Sequence, residues 1–240
     1  MWKNLYQKTM YEAYKTKEHL GYKIVEFENM FAVLWNNQNV PYYNIIHCDK
    51  FGQKELDIIK QNIPDTFLCI ASNHEIVEDL ANVKKGHATY LMKLDVKEKI
   101  INNSQFKIVK VSDLETLKQF CDIAAEVYDL TKDKDELIKS FANETNLENC
   151  FKYVGYINDE PAGMIEFSEG KNAAYASWGA VREKFRRQGL YKAIFAYAIN
   201  YEFDRGIKTI LLNSSEMGKE AYKKMGFVPL TSRYNYVLDK

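Results

Sequence analysis

The chain has 240 residues, with 33 lysines and arginines against 33 aspartates and glutamates; 46% of it is hydrophobic and 14% aromatic. That length builds one large domain or two small ones with a sizeable core, and the aromatic content excludes a disordered chain. A net charge of zero excludes a bulk binder of nucleic acid or of an anionic membrane, either of which carries a basic excess.

Leu5, Tyr6, Thr9, Met10, Ala13 and Tyr14 fall at helical spacing and predict an amphipathic helix over 5–20, stopped by Gly21. Short apolar segments at 22–27, 30–35 and 42–47, separated by Asn-rich turns, predict strands joined as hairpins. A helix at 53–62, a strand at 66–71, a short helix from Asn73 and a strand at 87–94 follow. The polar run VKEKIINNSQ, residues 96–105, reads as a linker. It divides an N-terminal α/β domain over 1–95 from a second domain over 106–240. Both halves are neutral, with 13 basic and 13 acidic residues up to residue 105 and 20 of each after it.

The second half opens with a strand at 106–111, after which Ser112-Asp113 caps a helix running to about residue 128. The charged loop DLTKDKDE leads to a short helix at 137–142. Strands at 152–158 and 163–168 flank the turn Asp159-Glu160-Pro161-Ala162, and a third strand covers 173–181. A basic loop, a helix at 190–203 ended by Gly206, a strand at 209–212, a helix at 218–224 and apolar segments around Phe227 and at 234–238 complete the chain.

Cys48, Cys69, Cys121 and Cys150 form no CxxC pair and no His stands at ligand spacing, so neither zinc nor a redox dithiol is expected and no metal is assigned. Asp129, Asp133, Asp135 and Glu136 lack the central glycine and the spacing of a calcium loop. The first twenty residues are polar and lysine-rich, and no apolar run approaches the ~20 residues that span a bilayer. A cytoplasmic location is therefore expected, and Asn102-Asn103-Ser104 and Asn143-Glu144-Thr145 are read as chance glycosylation patterns.

The most informative segment is VREKFRRQGLYKAIFAYAI. All five arginines of the chain (Arg182, Arg186, Arg187, Arg205 and Arg233) lie in its last quarter, and three stand in this loop. From Arg182 to Lys192 there are five basic residues and one acidic, a local charge of +4. A strand ends at Val181, Gly189 lets the backbone turn closely, and a helix begins at once. Unpaired amide N–H groups at a helix start, the helix dipole and arginine forks together suit phosphate.

Arg186-Arg187-Gln188-Gly189-Leu190-Tyr191 resembles the pyrophosphate loop of the GCN5-related N-acetyltransferases (GNAT superfamily), whose pattern is Gln or Arg, two residues, Gly, one residue, then Gly or Ala. Arg186 and Gly189 match; Tyr191 departs. Further on, SSEMGKEAYKKMGF resembles the family's second signature, with Ser215, Gly218, Ala221, Tyr222, Gly226 and Phe227 in order. The resemblance covers about the last 135 residues. It implies an α/β fold, a mixed α+β sheet of the acyl-CoA N-acyltransferase type, with a smaller N-terminal α/β domain that resembles a degenerate copy of the same fold.

The resemblance also implies acetyl-CoA as co-substrate and a primary amine of a small molecule or peptide as acceptor. Ala180 and Val181 would offer backbone groups to pantetheine, and Arg186, Arg187, Gln188, Gly189, Leu190 and Tyr191 would hold the pyrophosphate. Asn213 would orient the arm or the amine, and Arg182, Lys184 or Lys192 would reach the 3′-phosphate. Tyr222 matches the family's general acid, and a phenol of pKa ~10 is well matched to a thiolate leaving group.

The strand at 173–181 offers no acid or His as base. Glu166 on the preceding strand is the nearest carboxylate, acting through water, though an outward-facing strand glutamate is an equal reading; Ser177 and Trp178 read as pocket lining. A homodimer is a further expectation, and neither nucleic acid nor membrane is expected as partner. Two other readings stay open. A non-catalytic acyl-CoA-binding regulatory module is suggested by the missing strand base and by Tyr191. An aminoacyl-tRNA-dependent transferase is opposed by the neutrality of both halves.

Overall fold

The computed structural model describes residues 4–35, 44–63, 68–101 and 105–238. Residues 42–43 and 66–67 of two expected strands, and Asn102-Asn103-Ser104 of the expected linker, lie outside them. The chain forms two compact units: Met1–Lys93 together with Leu212–Lys240, and Leu94–Leu211. The compact units thus differ from the expected division at 95 and 106. The reason is the last strand, which pairs with strands of the N-terminal half and carries the end of the chain into the first unit.

In the first unit, helix α1 (Leu5–Lys15) starts at Asn4, whose side chain accepts from the Gln7 N–H at 2.8 Å. A short 3-10 turn, Glu18–Leu20, then stops at Gly21, whose φ of 99° is the left-handed conformation glycine adopts without strain. Strands β1 (Tyr22–Glu26), β2 (Met30–Trp35) and β3 (Ile45–Cys48) pair antiparallel in turn. Helix α2 (Gln53–Asn62) then crosses to β4 (Leu68–Ser72), which runs parallel to β3 from Ile45↔Cys69 to Cys48↔Ser72.

The expected helix from Asn73 is absent. The Asn73 and His74 N–H groups both donate to the Asp49 carbonyl at 3.1 Å, which fixes a loop instead. After β5 (Val83–Asp95), the last strand β11 (Val228–Leu238) lies between β4 and β5, antiparallel to both. The strand order is β1-β2-β3-β4-β11-β5.

Side chains alternate across this sheet, so Met30, Ala32, Ile46, Leu68, Ile70 and Leu238 pack with Leu56 and Ile59 of α2. On the α1 side Arg233 is fully buried; its guanidinium lies 4.1 Å over the Tyr6 ring and donates to Asn73 Oδ1 and the Ala71 carbonyl, both at 2.8 Å. His47 stacks on Phe31 nearby, and burial with the Arg233 charge holds its imidazole well below the usual range.

In the second unit, β6 (Lys107–Lys110) precedes α3 (Leu114–Val127), capped by Asp113, which accepts from the Thr116 N–H at 2.8 Å. A 3-10 turn, Thr131–Asp133, leads into α4 (Lys134–Glu144). Strands β7 (Cys150–Ile157), β8 (Glu160–Glu169) and β9 (Ala174–Val181) form an antiparallel run with β6 at its edge. The β7–β8 turn is Asn158-Asp159, with φ 51° and 62°, so Glu160 and Pro161 belong to β8 rather than to the turn. Two consecutive left-handed residues of this type make the tight hairpin that Asn and Asp favour.

Helix α5 (Leu190–Asp204) covers one face of the strands. A Cβ built on Gly155 would stand 2.5 Å from Ile194 Cδ1, so glycine there permits the close approach of helix to sheet. At the end of α5 the fully buried Glu202 lies beside Glu169, which Arg205 Nε holds at 2.7 Å. Burial and the Glu169 carboxylate push the Glu202 carboxyl up to about 10. Strand β10 (Thr209–Ser214) leads out of this unit into the first. Among the described residues no helix is long and apolar enough to cross a membrane.

Candidate functional site

Strand β9 ends at Val181, and a 3-10 turn, Glu183–Phe185, follows Arg182. Arg187 then takes φ 64° and Gly189 φ 86°, which turns the chain directly into α5. Leu190 is buried and anchors the helix start, while Arg186, Arg187, Gln188 and Gly189 are exposed. No side chain caps α5 and no acidic residue stands in its first turn. Its leading N–H groups therefore face outward with positive potential, beside a loop of +4.

The basic side chains divide by geometry. Arg182 braces the loop: Nε pairs with Glu126 at 3.0 Å, Nη1 donates to the Pro161 carbonyl at 3.0 Å, and only 16% of the side chain is exposed. Lys184 is ion-paired with Glu160 and lies over the Phe185 ring. Arg186 Nε donates to the Val181 carbonyl at 3.0 Å, fastening the loop to the end of β9. Among the described residues Arg186, Arg187 and Lys192 have no ion-pair partner, which leaves them as cations of this segment able to meet a phosphate.

Tyr191 finds its explanation across the helix–sheet contact. A Cβ on Gly179 would collide with the Tyr191 hydroxyl and stand 3.1 Å from Cζ. The bulk missing at 179 is thus supplied by the side chain at 191, and the ring packs back on β9 rather than out over the loop.

Opposite Ile165, strand β9 carries a bulge. The register steps from Met164↔Ala180 to Glu166↔Ser177, and Trp178 takes φ 49°. The extra residue turns Ser177 and Trp178 to the same side of the sheet, toward α3 and α4. There Trp178 meets Tyr128 and Phe141 edge-on, both at 5.5 Å between ring centres, and the Tyr128 hydroxyl donates to the Gly179 carbonyl at 3.0 Å.

Ser177 opens onto a buried charge cluster. Its Oγ donates to Glu166 Oε1 at 3.1 Å; Glu166 Oε2 pairs with Lys152 Nζ at 3.0 Å, and Lys152 with Glu144 Oε2 at 2.8 Å. Glu166 is 5% exposed, so it is an inward residue and not the outward strand glutamate that was its equal reading. Ligand atoms of Glu144, Cys150 and Glu166 lie within 4.8 Å of one another, a spacing that would suit a metal ion. The Lys152 ammonium instead bonds all three, with Cys150 Sγ at 3.3 Å, and is the cation of this cluster. Lys152 and Glu144 escaped the sequence reading. The available signal was a lysine within the apolar run CFKYVGYI, at the register partner of Glu166.

Asn213 and Tyr222 belong to the first unit. Ser215 caps helix α6 (Glu216–Lys224) by accepting from the Gly218 N–H at 3.2 Å. Half-buried Tyr222 packs edge-on against Phe227 at 5.7 Å. Asn213 Oδ1 is buried and has no hydrogen-bond partner among the described residues, which makes it an acceptor suited to an amide or amine N–H. The cysteines are not reactive groups of this arrangement: burial pushes the thiols of Cys48 and Cys121 up to about 12 and that of Cys69 to about 11.

Residues 122–236 match the family model described as acetyltransferase (GNAT) domain. No curated protein matches the chain by sequence. Among solved structures, a GCN5-related N-acetyltransferase from Kribbella flavida is 13% identical with a TM-score of 0.68, over 95% of this chain and 96% of that one. A conserved protein of unknown function from Staphylococcus epidermidis is 17% identical with a TM-score of 0.70, over 95% and 97%. A tandem GNAT protein from the clavulanic acid biosynthesis pathway is 10% identical with a TM-score of 0.57, over 87% and 77%. At these identities the likeness is one of fold, and it extends over both units. Residues 122–236 are a GNAT acetyltransferase domain.

Proposed function

We propose that the chain transfers an acetyl group from acetyl-CoA to a primary amine of a small molecule or peptide by direct attack. The observation that carries this reading is the uncapped start of α5, set behind a loop of +4 with Gly189 at φ 86°. The N–H groups of Gly189 and Leu190 and the side chains of Arg186, Arg187 and Gln188 hold the pyrophosphate, and Tyr191 serves by packing beneath the helix start. Ala180 and Val181 offer backbone groups to the pantetheine arm as a partner strand would. Asn213 Oδ1 accepts an N–H from the arm or the amine.

When bound, acetyl-CoA supplies the thioester; the chain supplies proton transfers. Ser177 takes the proton leaving the amine and passes its own to Glu166, so that Glu166 is the base and acts through the hydroxyl. The Lys152 ammonium pairs with the other Glu166 oxygen at 3.0 Å and holds the carboxylate in place. Tyr222 gives its phenolic proton to the departing sulfur and recovers it from solvent.

The test is calorimetry with CoA. A side chain on Gly189 meets no atom of the chain within 4 Å, so Gly189→Glu puts negative charge at the helix start with no clash. CoA affinity should fall by roughly a hundred-fold or more. Gly189→Ala carries the same left-handed strain without the charge and should retain most of the affinity. Unchanged affinity in a folded Gly189→Glu protein would remove the loop assignment.

A further inference from the structure

We propose that Tyr191 limits the acyl chain, admitting acetyl and excluding longer groups. This rests on the acyl-CoA reading above and deepens it. With the pyrophosphate at 186–190 and the pantetheine arm laid back along Val181 and Ala180, the acyl end arrives at the next positions along β9, Gly179 and Trp178, where the bulge lies.

Both faces of the bulge are walled. On the α5 side, the space a side chain on Gly179 would fill holds the Tyr191 hydroxyl, with Cζ and Cε2 at 3.1 and 3.2 Å from a Cβ built there. The Tyr191 ring is backed by Phe195 at 5.7 Å, and Phe195, fully buried, by Phe167 at 5.6 Å. The ring therefore has no empty space behind it to retreat into. On the other side Trp178 is held between Tyr128 and Phe141, and Tyr128 ties down the Gly179 carbonyl. An acyl chain longer than acetyl must displace Tyr191, the wall supported by a single helix position.

The experiment compares binding of CoA, acetyl-CoA, propionyl-CoA and hexanoyl-CoA by calorimetry, in wild type and in Tyr191→Ala. Wild type should favour acetyl-CoA over hexanoyl-CoA by roughly ten-fold or more, the scale on which a pocket rejects excess methylenes. Tyr191→Ala should bring the two within about three-fold, the ratio being read against whatever affinity the variant keeps for CoA itself. No acetyl preference in wild type, or an unchanged preference in Tyr191→Ala, overturns the inference while leaving CoA binding intact. Wild type that binds no form of CoA removes both the inference and the reading beneath it. Should Tyr191→Ala fail to fold, Tyr191→Phe deletes only the hydroxyl at Gly179, and propionyl-CoA should gain on acetyl-CoA; an unchanged ratio overturns the proposal equally.

Discussion

Tyr222 and Glu202 are both ionisable residues on helices, and we propose opposite work for them. Tyr222 is half-buried, and its ring is steadied by Phe227. Tyr222→Phe keeps that contact and removes only the hydroxyl. Turnover should drop by roughly a hundred-fold, within the span usual for a general acid, with acetyl-CoA affinity nearly unchanged. Steady-state kinetics beside calorimetry check this, and near-normal turnover would remove the acid role. Glu202 is a stability residue. Its folded carboxyl titrates at about 10 against an ordinary 4.5, so between those values the folded chain holds a proton that the unfolded chain releases. Stability therefore falls as pH rises through that window, by up to ~1.4 kcal/mol per unit from this group. Urea unfolding at about pH 6 and about pH 9 should show a smaller loss for Glu202→Gln than for wild type; equal losses would contradict the assignment.

The helices α2 and α5 each follow a short β-strand and a loop, yet only one can receive an anion at its start. At α2 the Gly52 N–H donates to Glu55 at 3.0 Å and the Gln53 N–H to Glu78 at 3.1 Å, so two carboxylates of the chain already occupy the positive end. At α5 no side chain does so. This difference was half legible. The basic loop and the helix after Gly189 could be read directly, because charge, glycine and apolar periodicity are local signals. Glu78 could not: it reaches α2 from a loop that the periodicity presented as a helix, and the contact is made across 25 positions. The β9 bulge was equally hidden. Strict alternation puts Ser177 and Trp178 on opposite faces, and only an inserted residue, visible in pairing but not in composition, brings them together. Strand β2 and helix α2 appear at their expected bounds because each has uninterrupted patterning and a clear start.

At the scale of the molecule, the arrangement of β11 decides how the halves depend on one another. It pairs with β4 from Tyr234↔Ser72 to Leu238↔Leu68 and with β5 from Val228↔Lys93 to Leu238↔Val83. Tyr236 and Leu238 also join the core under α2. Ending the chain after Gly226 should leave those two strand edges unpaired and empty part of that core. Hydrogen exchange should then show amides of β4 and β5 losing protection by roughly a hundred-fold or more, while amides of β7 and β8 keep theirs. Equal loss in both sets would mean that the two units unfold as one.

The same strand has a consequence for the order of events at the ribosome. The residues of the Leu94–Leu211 unit are all available once residue 211 has left the exit tunnel. The first 93 residues, synthesised earlier, lack the strand that separates β4 from β5 until β11 is made. The N-terminal half is therefore begun before the Leu94–Leu211 unit and completed after it, and in the interval its β4 and β5 edges are open to mispairing or to chaperones.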